Sequence, residues 1–157
     1  MSFKLIIGYG NPLRSDDGVG WHVAEELTER LPNSEFEVVQ SHQLMPELAE
    51  KISRSELVIF VDATRGERPG EWTCKEVHKQ APVRAFSHAA SPEGLLALAQ
   101  GVYGAAPPAF LFVMCGGTFE HGDRLSPTVA ERLPSFVAAI RSLAFAGRSQ
   151  NQELAAR

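Results

Sequence analysis

The sequence predicts an α/β fold in three layers: an open, mostly parallel, twisted sheet of about five strands with helices on both faces. Three observations carry this expectation. The runs FKLIIGY (3–9), LVIFVDA (57–63) and FLFVMC (110–115) have the nearly unbroken hydrophobicity of strands buried on both faces. Between such runs, apolar residues recur at four-residue steps, the period of a helix lying on a sheet. The two kinds of segment alternate along the chain.

Taken in order, residues 3–9 form the first strand. GVGWHVAEELTERL places Val19, Val23, Leu27 and Leu31 on one helical face, with Ser15 or Asp16 expected as the N-cap. FEVVQ (36–40) is a short strand, and MPELAEKIS (45–53) a short helix with Leu44, Leu48 and Ile52 inward and Pro46 near its start. LVIFVDA is the clearest buried strand. TRGERPGEW (64–72) reads as a turn-rich connection, EWTCKEVH (71–78) as an edge strand, and 78–88 as loop. SPEGLLALAQGV opens with Ser91 as cap and Pro92 at the first helical position. After the strand at 110–115 and the loop GGTFEHGDRLS, a last helix from residue 126 turns Val129, Leu133, Phe136, Val137, Ile140 and Leu143 inward. Pro134 falls inside that pattern and predicts a kink or break. The expected organisation is one α/β domain over 1–146 and a polar, frayed tail over 147–157.

A chain of 157 residues buries enough surface to need no disulfide or metal for its core. With a net charge of -4 and no basic stripe, nothing points to nucleic acid. There is neither an apolar run of the roughly 20 residues that span a bilayer nor a signal peptide, so no membrane partner and a cytoplasmic location are expected. Cys74 and Cys115 lie far apart without a C-x-x-C and read as buried thiols.

Folds of this class bind ligands beyond the carboxyl ends of their strands, where the strand order reverses. If the order begins 2-1-3, the relevant loops are 10–18 and 62–70. Asp16 and Asp17 stand in the first. Helix capping accounts for one acid there. A second adjacent acid costs repulsion unless a positive charge or a metal is near, the alternative being a solvated first-turn acid. GYGNPLRSDDG begins like a phosphate loop, but two aspartates would repel an anion and no lysine-bearing phosphate motif follows. The acids favour a cation, and the glycines would let the backbone turn and leave room for a partner. Asp62 closes LVIFVDA at the same sheet edge; its alternative role is an ordinary turn acid. Of the five histidines, His22 reads as surface or packing, His78 and His121 as strand-end and loop residues. His42 follows the second strand, and His88 lies in the small-residue loop FSHAAS. Two carboxylates and an imidazole from separate loops suit a borderline divalent ion such as Zn²⁺ or Ni²⁺, with coordination positions left open. No H-E-x-x-H or G-x-S-x-G motif is present, and Cys115 has no neighbouring base.

These residues also resemble a known family. GYGNPLRSDDGVGWHVAEEL is similar to the N-terminal signature of the hydrogenase maturation proteases, a strand followed by G-N-x-L-x-x-D-[DE]-x-x-G and a helix. LVIFVDA resembles that family's second acidic segment, FSHAASPEGLLALA its histidine segment, and TFEHGDRLSPTVAERLP its C-terminal segment, all in the family's order up to about residue 145. The resemblance implies an endopeptidase that removes the C-terminal extension from the large-subunit precursor of a nickel–iron hydrogenase after nickel insertion. It implies metal contacts from Asp17, Asp62 and His88. Asp17 stands where some members carry Glu. The nickel would arrive with the substrate, so no permanently bound cofactor is expected beyond an adventitious divalent ion. In this reading Asp16 and Glu120 are secondary candidates for proton transfer, and Asn11, His42 and Gln43 for substrate contact. The competing reading is a non-enzymatic assembly factor that checks for nickel and cuts nothing.

Overall fold

The computed structural model describes residues 2–79 and 91–146. The elements are β1 (Lys4–Tyr9), α1 (Val19–Arg30), β2 (Phe36–Ser41), α2 (Leu48–Arg54), β3 (Leu57–Arg65), β4 (Trp72–Glu76), α3 (Pro92–Tyr103), β5 (Ala109–Gly116) and α4 (Pro127–Phe145). They build a five-stranded sheet in the order β2-β1-β3-β5-β4. The first four are parallel neighbours, and β4 joins the edge antiparallel to β5. The expected sheet is therefore observed.

Alternation along the strands divides the core in two. Ile6, Ile59, Val61, Phe110 and Phe112 face α1 and α4, which contribute Val19, Val23, Leu27, Phe136, Val137 and Ile140. Leu5, Ile7, Val58, Phe60 and Leu111 face the other way, under Ala49 and Ile52 of α2 and Leu95, Leu96 and Ala99 of α3. Both faces of β1, β3 and β5 are covered, which explains their continuous apolar runs.

Three local expectations need correction, and a fourth in part. β3 runs on to Arg65, taking Thr64 and Arg65 from the connection, because β5 offers them the partners Cys115 and Gly116. α2 starts at Leu48; Pro46 lies in the preceding turn, its carbonyl accepting from the Ala49 amide at 3.0 Å. Of the kink or break expected at Pro134, the break in α4 does not occur. The proline lies on the exposed side, where solvent reaches the Ala130 carbonyl that it leaves free, while Phe136, Val137 and Ile140 hold the helix to the core. Cys74 and Cys115 are half-buried rather than buried. Burial still pushes the Cys74 thiol up to about 11. The start of α3 is as expected: Pro92 is its first residue, and the Ser91 hydroxyl accepts from the Gly94 amide at 3.0 Å. The expected tail over 147–157 lies outside the described residues.

Candidate functional site

The strand order reverses between β1 and β3, so the crest above these two strands is where folds of this class bind ligands. The chain leaves β1 at Tyr9, turns through residues 10–14, forms a 3-10 turn over Ser15–Gly18 and enters α1. The start of α1 is pressed against the end of β1. Gly10 has φ +138, and a Cβ there would lie 2.1 Å from the Asp17 carbonyl oxygen. One on Gly8 would lie 2.0 Å from the Gly20 carbonyl oxygen. At these two positions the missing side chain admits the chain's own backbone, not a partner.

Asp17 is half-buried on this crest. Its Oδ2 accepts the Asn11 amide at 2.7 Å. The Asn11 side-chain oxygen accepts from the Leu13 amide at 2.9 Å, so this side chain closes the turn.

Asp62 stands on the neighbouring strand, half-buried, with Oδ1 accepting the Ala63 amide at 2.7 Å. Its side chain has the strand parity of Val58 and Phe60 and faces the α2/α3 side. Tyr9 shares that parity with Leu5 and Ile7. Because Gly8 pairs with Val61, the next residues along, Tyr9 and Asp62, are side by side. The Tyr9 phenol and the Asp62 carboxyl lie close enough to act on each other's protonation. Burial raises the Asp62 pKa to about 6. The Ala63 amide and the Tyr9 phenol pull it down, and the Asp17 charge pushes it further up. Tyr9 is itself held well above the usual phenol range by burial, by Asp62 and by Glu93 at the start of α3. Tyr9 was missed by sequence reasoning. The available signal was its place as the last residue of a strand that ends at the same edge as Asp62.

Asp16 behaves differently from its neighbour. It is fully buried, and its two oxygens accept four hydrogen bonds. Gly117 N (2.7 Å), Thr118 N (3.0 Å) and Ser126 Oγ (2.7 Å) donate to Oδ2, and Ser126 N (2.7 Å) donates to Oδ1. Neither Ser15 nor Asp16 caps a helix, contrary to expectation. Both face the β5–α4 segment instead, Ser15 donating its hydroxyl to the Glu120 carbonyl at 2.8 Å.

The remaining candidates sit around this crest. Glu120 is exposed in the loop before α4. His42 is exposed beyond β2 with its ring edge-on to Trp21, centroids 5.2 Å apart. Trp21 Nε1 donates to the carbonyls of Gly10 (2.9 Å) and Ser41 (3.2 Å), tying the ends of β1 and β2 together. Gln43 is exposed, and its backbone carbonyl accepts from the Ser41 hydroxyl. His88 lies outside the described residues. Among the described residues no three His, Cys, Asp or Glu side chains gather closely enough to hold a metal ion, and neither Asp17 nor Asp62 makes an ion pair. The Asp17 charge adds a minor upward push to the Asp62 carboxyl, and a cation near it would relieve that push.

No family model matches the sequence, and no curated protein does. Solved structures do. The chain is similar to the hydrogenase maturating endopeptidase HybD from E. coli, with 24% identity and a TM-score of 0.66 over 89% of this chain and 93% of that one. It is similar to a hydrogenase 2 maturation peptidase from a Thaumarchaeota archaeon, with 22% identity and a TM-score of 0.65 over 90% and 97%. A third is the [NiFe] hydrogenase maturation protease HycI from Thermococcus kodakarensis, with 23% identity and a TM-score of 0.65 over 99% and 94%. The chain has the fold of the hydrogenase maturation proteases.

Proposed function

We propose that this chain is a hydrogenase maturation protease, an endopeptidase that removes the C-terminal extension of a nickel–iron hydrogenase large-subunit precursor once nickel is in place. The observation that carries the reading is that Asp17 and Asp62 stand on the neighbouring segments of the β1/β3 crest, neither of them ion-paired among the described residues. It is supported by the fold shared with the maturation peptidases, which the chain matches over nearly its whole length. No helix among the described residues is long and apolar enough to cross a membrane.

In this reading the nickel belongs to the substrate. Asp17 and Asp62, with His88 as the third contact, take up the nickel-bearing tail and bring the peptide bond to be cut over the crest. A divalent ion arriving with the substrate would supply Lewis-acid polarisation of a carbonyl oxygen there, with Asp17, Asp62 and His88 as the residues that would hold it. Asn11 fixes the turn that carries Asp17, through the amide bond to Asp17 Oδ2 and the side-chain bond to Leu13. Tyr9 steadies the Asp62 carboxylate. His42 and Gln43, exposed beyond β2, are placed to meet the body of the precursor, and Glu120 is the exposed acid available for proton transfer. A cytoplasmic place of action is part of the same reading.

The direct test is a mass measurement on purified precursor, nickel-loaded and nickel-free, before and after incubation with the protein. Loss of the C-terminal peptide from the loaded form alone is expected. An unchanged mass in both, with the protein bound to the loaded form, would support the nickel-checking assembly factor instead.

A further inference from the structure

The two adjacent aspartates point in different directions. In a 3-10 turn successive residues project about a third of a turn apart. Asp17 turns toward Asn11 and the β1/β3 crest, while Asp16 enters the seam between β5 and α4. Backbone bonds reinforce that seam. The Asp16 amide donates to Thr118 O at 3.0 Å, the Ser15 amide to Gly122 O at 2.8 Å, and the Gly122 amide to Leu13 O at 2.9 Å. Gly116 makes the space: a Cβ there would lie 2.8 Å from the Asp16 Cβ.

The seam also holds a costly conformation. Ser15 has φ +53, the left-handed region that a residue with a Cβ enters only at some expense. It stays there because its amide and hydroxyl are bonded to Gly122 and Glu120 and its neighbour Asp16 is fastened by four donors. A buried carboxylate that loses donors is strongly unfavourable, so each of the four bonds helps to keep the seam closed.

We propose that Asp16 is a positioning residue for Asp17, fastening the 15–18 turn to the 116–126 segment so that the Asp17 carboxylate is held where the substrate meets it. This rests on the reading of the crest as the substrate site. It assigns to Asp16 no part in proton transfer, and it makes the segment before α4 part of the machinery that sets Asp17.

The test is steady-state cleavage of the nickel-loaded large-subunit precursor by Asp16→Asn. The amide has the size of the carboxylate, but its nitrogen cannot accept a hydrogen bond, so the four donors are no longer all satisfied. If Asp16 positions a substrate-gripping residue, KM rises at least about threefold. A smaller rise overturns the inference whatever kcat does, because a proton-transfer role lowers kcat at constant KM. Should Asp16→Asn fail to fold, Ser126→Ala removes one donor and leaves the rest. Its KM is expected to rise about twofold or more, and a wild-type KM overturns the inference. Wild-type protein that cuts nothing, or Asp17→Asn that cuts normally, would remove the functional reading itself. Inactive Asp17→Asn beside Asp16→Asn with an unchanged KM would remove only this inference.

Discussion

Ser126 is joined to Asp16 twice, through its amide to Oδ1 and its hydroxyl to Oδ2, both at 2.7 Å. This pair connects the first residue of the 3-10 turn's acidic step to the residue that precedes α4, across 110 positions of sequence. Truncating Asp16, itself fully buried, to Ala would leave the half-buried Thr118 and Ser126 amides and the Gly117 amide without their acceptor, and should cost about 3 kcal/mol. Asp17→Asn, which disturbs a single half-buried bond, should cost about 1 kcal/mol. Urea denaturation of both variants checks the contrast, and equal losses would show that the two acids are held alike.

Asp62 makes stability depend on pH in an unusual sense. Its pKa is raised from 3.8 to about 6 in the folded protein, chiefly by burial. Between these values the native state binds more protons than the unfolded state, so stability falls as pH rises from about 4 to about 6 and stays lowered above. The ionised form therefore destabilises the fold by about 3 kcal/mol at neutral pH. Asp62→Asn removes that burden. Thermal melts should show the variant more stable than wild type at pH 7 and indistinguishable from it at pH 4. A gap that is larger at pH 4 would mean that ionisation of Asp62 stabilises the fold.

Tyr9 acts on the same carboxyl. Its phenol holds the Asp62 pKa below where burial and the Asp17 charge alone would put it. If cleavage needs ionised Asp62, the acidic limb of the pH–rate profile lies near pH 6. Tyr9→Phe should then move that limb to higher pH while the fold stays intact. A limb that stays in place would separate Tyr9 from the chemistry.

Two glycines give opposite expectations. At Gly10, φ is +138 and a Cβ would meet the Asp17 carbonyl at 2.1 Å, so Gly10→Ala must push the first turn off the strand and should cost about 3 kcal/mol or more. Gly101 lies in α3 with nothing within 4 Å of an added Cβ, so Gly101→Ala should stabilise by about 0.5 to 1 kcal/mol. Paired melting curves decide it; stabilisation at both sites would contradict the close approach of α1 to β1.

Much of the architecture was legible because burial on both faces writes a continuous apolar run, as in Leu5–Ile7, Leu57–Val61 and Phe110–Phe112. The placement of Asp17 and Asp62 followed from where those runs stop. Three features were not legible, for physical reasons. The role of Asp16 depends on donors more than a hundred residues later, which no local pattern records. Tyr9 at the end of a strand looks like an ordinary strand former until register sets it beside Asp62. Pro134 reads as a helix breaker, yet its exposed position lets packing on the opposite face override the lost bond.

The central claim is that the Asp17–Asp62 crest serves the cutting of a nickel-bearing precursor tail. It is tested most directly by the mass of the nickel-loaded large-subunit precursor after incubation with wild-type protein and with Asp17→Asn. Removal of the C-terminal peptide by the wild type, and an intact precursor with the folded variant, is the predicted result. Equal cleavage by both proteins would contradict it.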